Sequence, residues 1–142
     1  MQRDPDYRVV IDTTPTLIFS ARPDGYVDYA NRACLEYFGA SFHDLEGSGW
    51  TKFVHPDDLE EHVRRWRESM ASGEPAISEA RYRTPNGEYR WLLVHTKPLC
   101  DDRGEVIRWF GAATDIEHAK RAEETLRNAA VRPCSAIPIT AW

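Results

Sequence analysis

The sequence predicts an α+β domain, with extended segments at either end of a helical middle. Three observations carry that expectation. Two extended runs meet at Asn86-Gly87, a dipeptide whose residues both tolerate positive φ and so closes hairpins. Leu59, Val63, Trp66 and Met70 recur at the spacing of one helix face. Finally, 142 residues at 42% hydrophobic and 11% aromatic hold enough apolar area for one compact core.

The elements follow in chain order. Tyr7 to Asp12 is a short, partly apolar lead-in that Thr13, Thr14 and Pro15 end. Thr16 to Ala21 reads as a strand, Pro23-Asp24-Gly25 turns the chain, and Tyr26 to Tyr29 returns as a second strand. From Asn31 to Phe38 the period changes. Ala30, Ala33, Cys34, Tyr37 and Phe38 share one side of a helix that Gly39 stops. Short helical or irregular pieces continue through Leu45 and Trp50. The clearest helix runs from about Pro56 to Ser72, with Leu59, Val63, Trp66 and Met70 expected as its buried stripe. Beyond Ala76 the chain is extended on both sides of Thr84-Pro85-Asn86-Gly87, turns again at Asp101 to Gly104, and ends its sheet with VIRWFGAATDI. A charged helix starts at Glu117, carrying a thin seam of Ala119, Ala122, Leu126 and Ala129.

Composition excludes several function classes. A net charge of -5 speaks against nucleic acid or an anionic membrane as the main partner. No apolar run approaches the roughly 18–20 residues that cross a bilayer. The N-terminal MQRDPDYRVV places acids where a secretory signal carries basic residues. Cys34, Cys100 and Cys134 are scattered and odd in number, so no disulfide framework is expected. Together these features suggest a cytoplasmic, reduced domain.

Phe53 to His62, FVHPDDLEEH, gathers two histidines and four carboxylates and therefore invites a catalytic or metal reading. Helix chemistry accounts for it better. Proline suits the first helical position because its missing N–H would be unpaired there. That puts His55 at the N-cap and the carboxylates near the positive end of the helix dipole. Asp58 and His62 lie four apart, but the spacing matches neither HExxH nor HxxEH, and no further ligand lies nearby. Cys34 sits on the apolar side of its helix, where a thiol acts as a small hydrophobe. His95 and His118 have no partner spacing that implies chemistry. Phosphate-binding, nucleophile-elbow and CxxC motifs are absent, so no catalytic residue and no metal ligand is expected. A small cofactor-binding, enzyme-like domain using Cys34 or His62 is the outlying alternative.

Several runs, in order, resemble one family. PDGYVDYAN (Pro23 to Asn31) is similar to a second strand leading into a first core helix. WTKFVHPDD (Trp50 to Asp58) resembles the start of that family's long helix, and RTPNGEYRWL (Arg83 to Leu92) its central hairpin. DDRGEVIRWFGAATDIE (Asp101 to Glu117) resembles its last hairpin and the Asp-Ile-Thr junction to an output helix, with Glu117 where threonine is common. The family is the PAS domain, in the subtype that carries a PAC motif, and the likeness covers about Tyr7 to Glu124.

The resemblance implies a five-stranded antiparallel sheet of order 2-1-5-4-3, with helices over one face and a C-terminal exit helix. It implies residues 1–14 as an N-terminal flank, 15–116 as the PAS core, 117–131 as a connector helix and 132–142 as a tail, disordered or packed on a neighbour. It implies a sensory module in signal transduction that binds a small ligand or mediates dimerisation. Change is then relayed to an attached output domain such as the histidine kinase of a two-component system. The alternatives are an interaction domain with a filled core, or a haem-binding sensor. A ligand pocket between sheet and helices draws on Phe19, Tyr29, Phe38, Trp50, Phe53, Val63, Trp66, Tyr82, Leu92 and Phe110. The signal is expected to pass through Asp115, Ile116 and Glu117. Flavin is not expected, because the Asn-Cys-Arg run of the photoactive branch is missing and Cys34 lies on the earlier helix. Haem is not expected either, because His62 falls on the polar side of its helix stripe. A small organic ligand, a homodimer, no nucleic acid and no membrane contact complete the expectation.

Overall fold

A computed structural model describes residues 7–130 of the chain. The elements are α1 (Tyr7–Asp12), β1 (Leu17–Ala21), β2 (Val27–Ala30), α2 (Arg32–Phe38), α3 (Phe42–Leu45), a 3₁₀ turn (Gly49–Phe53), α4 (Pro56–Ser72), β3 (Ala76–Arg83), β4 (Tyr89–Cys100), β5 (Val106–Asp115) and α5 (Glu117–Ala130). All strand pairs are antiparallel, in the order β2-β1-β5-β4-β3. The sheet order and element types match the expectation. The lead-in adds a helix, α1, and the expected tail at 132–142 lies outside the described residues.

Asn31 explains how the first elements lock together. It is fully buried and caps α2, its Oδ1 accepting from Cys34 N at 3.1 Å and also from Ile18 N at 3.1 Å. Its amide nitrogen donates to Ile11 O at 2.9 Å and Thr16 O at 2.8 Å. One side chain thus ties α1, β1 and α2, with both its donors and its acceptor used. At the head of α4, Pro56 occupies the first position and His55 Nδ1 accepts from Asp57 N at 3.0 Å. The capping reading of FVHPDDLEEH holds there.

Pleat alternation sends Leu17, Phe19 and Ala21, then Ala80 and Tyr82, Leu92 and Val94, and Trp109 and Ala113 toward the helices. Phe19 pairs with Gly111 across β1 and β5, and a Cβ at Gly111 would sit 2.1 Å from the Phe19 ring. Glycine is therefore required on steric grounds, so that the ring can lie across its neighbour strand.

The same alternation corrects one expectation. Phe110 pairs with Ser20, whose hydroxyl donates to Asp28 on the outer face, and Phe110 is exposed. Its neighbour Trp109 takes the inward place and is completely buried. Tyr29 also pairs with Ser20 and shares that outer face, its hydroxyl donating to Asp12 at 2.5 Å.

An internal cavity and the helix junction

A cavity of about 100 Å³, open in part, lies between the inner face of the sheet and the helices. Leu17, Phe19, Leu92, Val94 and Ala113 form its sheet wall, and Cys34, Phe38, Leu45, Trp50, His62 and Trp66 close it from the helical side. Of the ten residues assigned to a pocket from sequence, Phe19, Phe38, Trp50, Trp66, Tyr82 and Leu92 line this cavity. Tyr29, Phe53, Val63 and Phe110 do not. Phe53 is buried against Phe38 at 5.4 Å between ring centres, one layer away. Val63 lines a separate open groove on the far side of α4, together with Leu59, Trp66 and Met70. Trp50 and Trp66 line both spaces and form the partition between them.

The side of α4 that faces inward is the main correction to the sequence reading. Leu59, Val63, Trp66 and Met70 are only half-buried, whereas His62 and Ser69 are buried. Three polar residues hold that line of α4, two against β3 and the third against the segment just before it. Asp58 takes both the Arg81 backbone N–H (2.8 Å) and the Arg81 guanidinium (2.8 and 2.9 Å). His62 Nδ1 lies 2.8 Å from Ser78 Oγ, and its Nε2 lies 2.7 Å from Tyr82 Oη. Ser69 donates to the carbonyl of Glu74. His62 is therefore on the inner side of α4, not the polar one. Signals for this existed in Ser78 and Tyr82, which alternate inward with Ala76 and Ala80 on β3 and offer hydroxyls.

Burial sets the protonation of this network. Removal from water pulls the His62 imidazole down to about 4, despite the opposing pull of Asp58, so the ring is neutral at physiological pH. Burial likewise raises the Tyr82 phenol and pushes the Cys34 thiol up to about 12. Cys34 is thus a protonated core group, donating to Ile18 O at 3.4 Å, and no thiolate nucleophile. Among the described residues no three His, Cys, Asp or Glu side chains gather as metal ligands would.

The junction to α5 is built on charge instead. Glu117 Oε1 accepts the Trp91 backbone N–H at 2.9 Å, and Ile116 N donates to Trp91 O at 2.8 Å. Arg121 Nε holds the other Glu117 oxygen at 2.8 Å. Asp115 accepts from Arg90 (2.6 Å), Tyr37 (2.7 Å) and the Glu117 amide (2.9 Å). Burial would raise both carboxylates, but their cationic and N–H partners hold Asp115 and Glu117 below the usual carboxylate range. Lys120 bonds Glu79 and sits 4.5 Å over the Trp91 ring, adding a third tie to the sheet. The three residues named for signal passage, Asp115, Ile116 and Glu117, all join this clasp. Trp91, Arg90 and Tyr37 were not foreseen.

A family profile described as the PAS fold matches residues 27–113. The peroxide stress-activated histidine kinase mak1 of Schizosaccharomyces pombe is 32% identical over 87% of this chain, which spans 8% of that kinase. Among solved structures, an RNA-binding light-oxygen-voltage receptor superposes with a TM-score of 0.78 at 19% identity, covering 89% of this chain and 36% of that one. A sensory box histidine kinase/response regulator from Burkholderia thailandensis superposes with a TM-score of 0.66 at 23% identity, covering 87% of this chain and 94% of that one. At such identities the two structures speak to the fold alone.

Proposed function

The chain belongs to the PAS family and is a sensory signal-transduction module, and from that premise we propose that it senses a small ligand in its internal cavity. Binding is relayed through β4 to the exit helix and so to an output domain attached in a longer protein. The observation that carries this reading is the adjacency of Leu92 and Trp91. Leu92 is a fully buried wall of the cavity, and the peptide before it, at Trp91, is held by Glu117 and Ile116 at the start of α5. A ligand that binds one arrangement of β4 more tightly shifts the clasp by that difference in affinity, and nothing more is required. The boundaries at 15–116 for the sensing core and 117–131 for the connector belong to the same proposal.

The module itself is proposed to be non-catalytic and to work in the cytoplasm, where the free thiols of Cys34 and Cys100 suit a reducing setting. Haem and flavin are not part of the reading. A cavity of about 100 Å³ is well short of the roughly 300–1,000 Å³ of ordinary cofactor sites, and both His62 ring nitrogens are already bonded. Pairing with a second copy is supported by the outer sheet face, where Ile77, Leu99 and Phe110 are exposed. No described helix is long and apolar enough to cross a membrane.

To test the relay, Ala113 in the cavity wall is replaced by Val, and amide hydrogen exchange is followed along residues 117–130. Altered exchange there supports the relay. Exchange identical to that of the parent chain, in a folded variant whose cavity residues have shifted, removes it.

A further inference from the structure

We infer that the cavity is built for an uncharged ligand of about cyclopentanone size that accepts a hydrogen bond. This rests on the ligand-sensing reading above and adds the chemical class. The argument is a count of protons. Ser78, His62 and Tyr82 form one row, joined by two hydrogen bonds of 2.8 and 2.7 Å. With the imidazole neutral, each of the three groups carries one hydrogen that can be donated. Two links use two of those hydrogens, so one hydroxyl hydrogen is left over whichever tautomer His62 adopts. If Nδ1 carries the proton, the surplus hydrogen is on Ser78. If Nε2 carries it, the surplus is on Tyr82.

Neither hydroxyl has a second partner among the described residues, and both side chains line the cavity. Tyr82 is buried and Ser78 half-buried, and a donor withheld from water without an acceptor costs free energy that a suitable guest recovers. Apart from Thr96, whose hydroxyl can donate to the same guest atom, and the outlying Arg65, the remaining lining side chains are apolar, so the guest needs an apolar body around one acceptor atom. A carboxylate is disfavoured, because the neutral imidazole offers it no charge and the lining is largely apolar. Arg65 touches the cavity only from an exposed position on α4, and its guanidinium is already paired with Glu61 at 3.1 Å. Size follows from volume. A dry cavity of roughly 150 Å³ accepts benzene, so about 100 Å³ calls for a five-membered ring or smaller.

The experiment titrates the full chain with cyclopentanone, pyrrole and butyrate, reading the methyl resonances of Leu17, Leu92 and Val94. Cyclopentanone only accepts a hydrogen bond and pyrrole chiefly donates one, at similar size. Saturable binding of the ketone at least about fivefold tighter than pyrrole, the equivalent of about one net hydrogen bond, supports the inference. Its carbonyl stretch is then expected at lower wavenumber than in a dry hydrocarbon. Pyrrole within fivefold of the ketone, or butyrate tightest of the three, overturns the acceptor assignment while leaving a ligand-binding cavity. If none of the probes produces saturable shifts, the ligand-sensing reading itself falls, and the inference with it.

Discussion

The two polar clusters of this molecule differ in kind. The row Ser78–His62–Tyr82 is neutral and held between α4 and β3, with His62 and Tyr82 buried, whereas the clasp is charged and, around a buried Glu117, reaches solvent through Asp115, Arg90 and Arg121. Breaking the first leaves polar groups stranded away from water, which is costly. Breaking the second frees Asp115, Arg90 and Arg121, which already reach solvent, and ion pairs so exposed are worth roughly 0–1 kcal/mol. A cavity framed by the costly cluster keeps its shape, and a junction built from the cheap one can rearrange. That division suits a sensor, which needs a fixed receptor and a movable outlet.

The largest blow to the rigid side is expected from Leu92→Ala. Leu92 is completely buried, and truncating such a leucine costs about 2–5 kcal/mol in thermal or urea unfolding. A loss under about 1 kcal/mol would mean that the wall is already loose. Gly111→Ala comes next. Its Cβ would displace the Phe19 ring, and overpacking of this sort costs about 1–3 kcal/mol while filling the cavity.

The neutral row also dictates a pH dependence. His62 titrates at about 4 in the folded chain against 6.5 as its ordinary value, so between those values the unfolded chain binds more protons. Stability is therefore full above about pH 6.5 and falls as pH drops toward about 4. Between pH 7 and 5 the loss amounts to about 2 kcal/mol, a window in which carboxylates contribute little. Denaturant titrations at several pH values check this, and His62→Gln is expected to flatten the slope in that window.

The smallest effect on stability is expected at the clasp. Glu117→Gln removes the Arg121 ion pair and weakens the bond to Trp91 N–H, at a cost of about 1 kcal/mol or less. Its signature is local: faster amide exchange in residues 117–122 with little change in the melting temperature. A clasp variant that melts like Leu92→Ala would erase the contrast between the two regions.

Much of this was legible in the sequence, and the misses have physical causes. Asn86-Gly87, the Pro56 helix start and the Gly39 stop are local signals, read by residues that answer to their own backbone. The inner side of α4 is not local. Its apolar stripe is genuine, yet Asp58, His62 and Ser69 are drawn inward by Arg81, Ser78 and Glu74, partners that only the folded β3 region supplies. A helix pattern records which residues dislike water, and says nothing of polar residues that find partners elsewhere. Trp109 and Phe110 show the other limit. Two adjacent aromatics in RWFG cannot both point inward, and period alone does not choose between them. The choice is made by the glycine at 111, which must face Phe19 and so puts Trp109 on the inner side with it.

The central claim is that the cavity and the exit helix report on one equilibrium. The direct measurement is a single cyclopentanone titration followed at both ends, at the Leu92 methyls in the cavity and the Ile116 amide in the junction. The account expects both resonances to move along the same saturation curve, with the amides of α5 following. Leu92 saturating while Ile116 and α5 stay fixed would contradict it.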